Sequence, residues 1–178
     1  MSGKTPALAV ATFTGELQRQ LSCVTNAVLR IGRGGREPAQ SPRLLTLGQV
    51  PAPMRGPARI SLSVDAEYRV VQSTDDVENW EVQTAGYIYS LKDGDHRDII
   101  AYHWHPARHS HVVVPHLHLY AGAMVGRPEL TRAHLPTGLI NLADLLRLAV
   151  ADFQVRSRRS DWAVVRAPAA PQASSDSS

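Results

Sequence analysis

The chain has 178 residues, 43% of them hydrophobic and 20% charged, which excludes collagen-like, mucin-like and wholly disordered chains. No apolar run reaches the roughly 18 residues of a membrane helix, so no spanning segment or membrane partner is expected. The lone cysteine, Cys23, excludes an internal disulfide, and a reducing, cytoplasmic location is the expectation. The net charge of +3 is unevenly spread: residues 30–59 balance at +5 and residues 60–98 at −6. A basic block beside an acidic one points to an anionic partner such as nucleic acid, or to a solvated surface with no partner.

Ala7 to Phe13 is a short apolar stretch that reads as structure and not as a secretory signal. Beyond it, Leu17, Leu21, Val24, Val28 and Ile31 recur at helical spacing. That predicts an amphipathic helix with Thr14 as N-cap and Gly32 as its stop, and with Cys23 packed beside the stripe. Residues 32–58 read as a long Pro/Gly/Arg-rich loop, anchored by Leu44, Leu45 and Leu47. Its Gly-Arg-Gly-Gly-Arg run from Gly32 lacks the lysine and Ser/Thr of a P-loop.

Strands are expected at Arg59–Val64, Tyr68–Gln72, Trp80–Leu91, Ile99–His105 and Val112–Tyr120, with a hairpin turn at Lys92-Asp93-Gly94-Asp95. Strands joined without intervening helices imply antiparallel pairing. A C-terminal helix is predicted from Asn141 as N-cap, Asp144 three residues on, and the stripe Leu142, Leu145, Leu146, Ala149 and Phe153. The fold class is therefore α+β: a four- to five-stranded antiparallel sheet packed against an N-terminal and a C-terminal helix. Residues 1–166 would form one domain, and 167–178, rich in Ala, Pro and Ser, a disordered tail.

Six of the eight histidines lie between His103 and His118, as three His-x-His pairs. Random placement of eight histidines would give about 0.4 such pairs. Residues two apart in a strand share a face. Ile100, Tyr102 and Trp104 would form one apolar face, leaving His103 and His105 on the other. Leu117 and Leu119 would do the same for His116, His118 and Tyr120. If the two strands pair, the imidazoles converge on one sheet face, about 5 Å apart across strands.

Three readings fit such a cluster. The first is metal-free acid–base catalysis, one imidazole neutral and a neighbour protonated, acting on an RNA 2′-hydroxyl and phosphate. In that reading His103, His105, His116, His118 and Tyr120 are the catalytic group and no cofactor is needed. The second is metal ligation, with His103, His105, His116 and His118 as candidate ligands for zinc, although no fixed carboxylate is evident to orient them. The third is a histidine-rich surface without chemistry, either merely solvated or the face by which a non-enzymatic interaction protein binds a partner or a metal. Arg30, Arg33, Arg36, Arg108, Arg156, Arg158 and Arg159 are the candidate phosphate contacts. His134 stands alone in the sequence and is given no role.

The stretch from Trp80 to Leu119, with Tyr87-Ile88-Tyr89, a turn, Tyr102 through His105 and then Pro115-His116-Leu117-His118, resembles the small TumE-type toxins of bacterial toxin–antitoxin modules. It covers about a third of the chain. The resemblance implies a cytoplasmic toxin acting on RNA and neutralised by a cognate antitoxin protein. Val114 to Tyr120 also resembles the His-x-His-x-His strand of HIT-family nucleotide hydrolases, in which His118 would be the nucleophile. Tyr120 stands where that family's third histidine belongs, and the upstream asparagine and glycine pattern is missing. A cupin reading lacks the glutamate that should follow His103-x-His105.

Overall fold

The computed structural model describes residues 2–32, 42–106, 111–124, 126 and 128–159. Arg33, Arg36, Arg108 and the segment 167–178 lie outside them. None of the helices among the described residues is long and apolar enough to cross a membrane.

The first helix, α1 (Pro6–Leu21), starts and ends earlier than its apolar spacing predicts. Thr5, not Thr14, is the cap: its hydroxyl accepts from the Leu8 amide at 3.2 Å, and Pro6 stands in the first turn, where its missing N–H costs nothing. Thr14 sits inside the helix, donating its hydroxyl to the Val10 carbonyl. The predicted continuation to Ile31 fails because the chain turns at Thr25. The Thr25 amide folds back on the Leu21 carbonyl, and its hydroxyl donates to Pro53 and accepts from the Ala27 amide. The apolar residues beyond, from Leu29, belong to a strand.

Among the described residues the sheet has nine strands, not four or five, because several short segments read as loop are paired. They are β1 (Ser2–Gly3), β2 (Leu29–Ile31), β3 (Arg43–Leu47), β4 (Ala52–Pro53), β5 (Ser61–Gln72), β6 (Trp80–Lys92), β7 (Asp98–Trp104), β8 (His116–Leu119) and β9 (Leu135–Pro136). The main path runs β2-β3-β5-β6-β7-β8-β9, with β1 on β6 and β4 on β5, all antiparallel. The expected loop 32–58 thus contains β3 and β4. Leu45 and Leu47 alternate into the core while Leu44 stays exposed, a strand pattern masked in sequence by the surrounding prolines. The two expected strands, 59–64 and 68–72, are joined in the single strand β5, which starts only at Ser61 and stays paired with β6 across its charged centre.

Core residues lie on one side of the sheet. Leu62, Val64, Ala66, Tyr68 and Val70 alternate along β5, all buried, and Phe13 of α1 packs on Tyr68 at 5.8 Å. On β6 the alternation must change phase to follow them. It does so at a β-bulge, where Glu67 pairs with Gly86 but Tyr68 with Thr84, leaving Ala85 outside the ladder. Val82 lies before the bulge, and Tyr87, Tyr89 and Leu91 after it; all four are buried. Gly86 is required there: a Cβ would meet the Trp104 carbonyl oxygen at 3.0 Å.

The second helix, α2 (Leu142–Ala151), forms as predicted from Asn141. The Asn141 side chain accepts from the Asp144 amide at 3.0 Å, and the Asp144 carboxylate accepts from the Asn141 amide at 2.9 Å. Leu142, Leu145, Leu146 and Ala149 are buried, and the Tyr87 hydroxyl accepts from the Ile140 amide just before the cap. Both helices therefore cover the same sheet face.

Truncating a side chain of that layer has a large cost. Leu62→Ala is expected to destabilise the fold by about 2–5 kcal/mol in urea denaturation, and Leu44→Ala by less than about 0.5 kcal/mol. Equal effects would contradict the assignment of inner and outer faces.

Candidate functional site

The histidines occupy the sheet face opposite the helices. Antiparallel pairing aligns Ile100 with Leu119, Ala101 with His118, Tyr102 with Leu117, and His103 with His116. Tyr102, Leu117 and Leu119 are half-buried against the core, as the alternation predicts, so His103, His116 and His118 must point the other way. The next pairing, His116 with Pro136 and Leu117 with Leu135, carries the same alternation into β9. It brings His134, the residue just before β9, beside His118.

The ring centroids form a compact group. His103 lies 4.6 Å from His118 and 5.5 Å from His116, and His116 lies 5.0 Å from His118. His105, one residue past β7, is 5.6 Å from His116 and 6.0 Å from His103. His134 is 4.5 Å from His118 and 5.1 Å from His116. Tyr120 extends the face as expected, its ring 5.7 Å from that of His118. Beside the cluster the sheet carries small side chains: Ala101 opposes Ser90 on β6, which opposes Ser63 on β5.

One nitrogen of each of His103, His116 and His118 falls within 4.8 Å of the other two. His116 is the floor of the group, at 1% exposure, and its Nδ1 lies 2.8 Å from the Val114 carbonyl oxygen. A carbonyl can only accept, so Nδ1 carries a proton, and the tautomer this selects for the neutral ring is the one with its lone pair on Nε2. The orienting partner that no carboxylate supplies in the sequence is thus a backbone carbonyl.

The electrostatics disfavour the charged form of two of the rings, His103 and His118. His103 is pulled down to about 4, first by burial and then by the neighbouring His118, His116 and His105, against a weak opposing pull from Asp98. His118 is lowered by burial and by His134, His116 and His105. The Tyr120 phenol is raised, by burial and then by the Asp98 charge, so it stays protonated. Among the described residues no carboxylate is hydrogen-bonded to His103, His116 or His118.

The candidate arginines among the described residues, Arg30, Arg156, Arg158 and Arg159, are not gathered at this face. Arg30 is on β2, with β3, β5, β6 and β7 between it and β8. Arg156, Arg158 and Arg159 lie along the helix layer: their contacts run to Arg55, Cys23 and Ser22 respectively. Arg33, Arg36 and Arg108 fall outside the described residues. His134 is the residue that the sequence reading missed. Its signal is the alternation His134-Leu135-Pro136, too short to read as a strand and hidden between two prolines.

Comparison of the chain with protein-family models, with curated proteins and with solved structures finds no match.

Holding imidazoles neutral has a stability consequence. His103 is near 4 in the folded state against 6.5 for an unperturbed ring, so the unfolded chain binds the proton first on acidification. This contribution is fully present above pH 6.5 and is lost as the pH falls from 6.5 towards 4. The urea midpoint should therefore drop over that window, and less steeply in His103→Gln than in the natural protein. Identical slopes would show that the ring is not held neutral.

Proposed function

We propose that this protein is a hydrolase centred on a zinc-class ion held by His103, His116 and His118. The observation that carries the reading is the convergence of three imidazole donor nitrogens within 4.8 Å, with burial and crowding disfavouring the charged form of His103 and His118. Tetrahedral zinc with nitrogen ligands needs donors about 3.4 Å apart, a gap that small ring rotations close. An all-nitrogen set of borderline softness suits zinc and its neighbours better than magnesium or calcium.

The same neutrality weighs against the metal-free mechanism. That mechanism needs a protonated imidazole at neutral pH as general acid, and His103 and His118 are both displaced the other way. Three neutral ligands leave the ion's full positive charge at the site, which favours an anionic substrate. A bound ion of this class lowers the pKa of its water towards 7 and polarises a phosphoryl oxygen. Hydroxide attack forms a P–O bond and breaks the bond to the leaving oxygen. Tyr120, protonated and against His118, is placed to donate a hydrogen bond to developing charge. The phosphodiester of RNA is the substrate we propose within that class. A toxin role with a cognate antitoxin in the cytoplasm is the biological setting that the TumE resemblance adds to the proposal.

The test is metal titration of EDTA-treated protein followed by an RNA-cleavage assay. One zinc ion per chain should bind, with affinity lowered at least about tenfold in His116→Ala and in His118→Ala. Cleavage should vanish in EDTA and return with zinc. Cleavage that EDTA leaves untouched, but His118→Ala abolishes, would restore the metal-free mechanism and overturn this one.

A further inference from the structure

The three proposed ligands are graded in depth, and a fourth imidazole completes the gradient. His116 forms the floor at 1% exposure, His103 and His118 are half-buried, and His134 is exposed. His134 therefore stands on the solvent side of the group, where an exchangeable water or a substrate oxygen would have to enter. Its ring is 4.5 Å from His118 at a near-perpendicular 69°, and 5.1 Å from His116.

Its attachment differs from that of the other three. His103, His116 and His118 belong to paired strands of the sheet interior. His134 ends the connection that follows β8, a segment built of two short 3-10 turns, Ala121–Ala123 and Pro128–Arg132. The ladder that holds it, β8 to β9, has only two residue pairs and stops at Leu117–Leu135, one step short of His134. A ring carried this way can approach or leave the group without disturbing the sheet.

Resting on the three-histidine reading of the site, we infer that His134 is a displaceable fourth ligand that closes the metal centre until an anionic ligand takes its place. The three convergent nitrogens are those of His103, His116 and His118, so the closed state is reached by the His134 ring moving inward to join them; the ion would then have four nitrogen ligands and no activated water. On opening, the bond from the ion to the His134 nitrogen breaks and a bond to an incoming anion or water oxygen forms. The departing imidazole keeps its lone pair and the incoming oxygen donates one, so charge and atoms balance without a further reagent.

Cobalt(II) as the metal and azide as the anion test this directly. The comparison is between the full chain, His134→Gln and His134→Ala, with His111→Ala as a control outside the ring contacts. His134 is exposed, so both variants should fold, which circular dichroism checks. The expected result is a four-nitrogen tetrahedral cobalt spectrum in the natural protein. Cobalt affinity should fall about tenfold in the His134 variants and azide affinity should rise about tenfold, neither changing in His111→Ala. Unchanged cobalt spectrum and azide affinity in the His134 variants would overturn the inference while leaving the three-histidine centre standing. Failure of the natural protein to bind cobalt or zinc at all would overturn both.

Discussion

The site depends on a single register. Because side chains alternate with a period of two, pairing His103 with His116 sends four apolar partners to the helices and the imidazoles to the other face. A slip of one residue between β7 and β8 would bury His116 and His118 among aliphatic side chains and expose Leu117 and Leu119. The hydrophobic demand of the helix layer therefore enforces the chemistry of the opposite face. No interaction among the histidines themselves needs to hold the arrangement, and the neighbouring rings oppose charging His103 and His118.

Two local devices support that register. The bulge at Ala85 shifts the phase of β6, so that Tyr87, Tyr89 and Leu91 continue the buried layer begun by Val82. Without it the second half of β6 would present its tyrosines to the histidine face. The Val114 carbonyl then settles the tautomer of His116, the deepest ring. Crowding does the rest: desolvation and neighbouring rings keep His103 and His118 unprotonated, which is the state a metal ion requires and the state a general acid cannot use.

Much of this was legible in the residues. The three His-x-His pairs interleaved with apolar positions give the face directly, and Asn141 with Asp144 marks the second helix start. The failures have common physical causes. Thr25 uses its side chain to turn a chain whose apolar spacing would continue a helix, a local hydrogen bond overriding periodicity. The strands β3, β4 and β9 are too short and too rich in neighbouring proline to show a pattern. They exist because longer strands beside them offer unpaired edges.

The amino-acid sequence alone determined which side of each histidine strand would be polar, since a period of two is a property of the chain and needs no partner. It also determined the antiparallel α+β class, through strands joined without helices and a capped helix after them. Only the tertiary structure decided which strands are neighbours, and hence that His134, sixteen residues beyond His118, belongs to the cluster while the described candidate arginines do not. Strand order is set by burial of the whole helix-facing layer, a sum over distant residues that no local window contains.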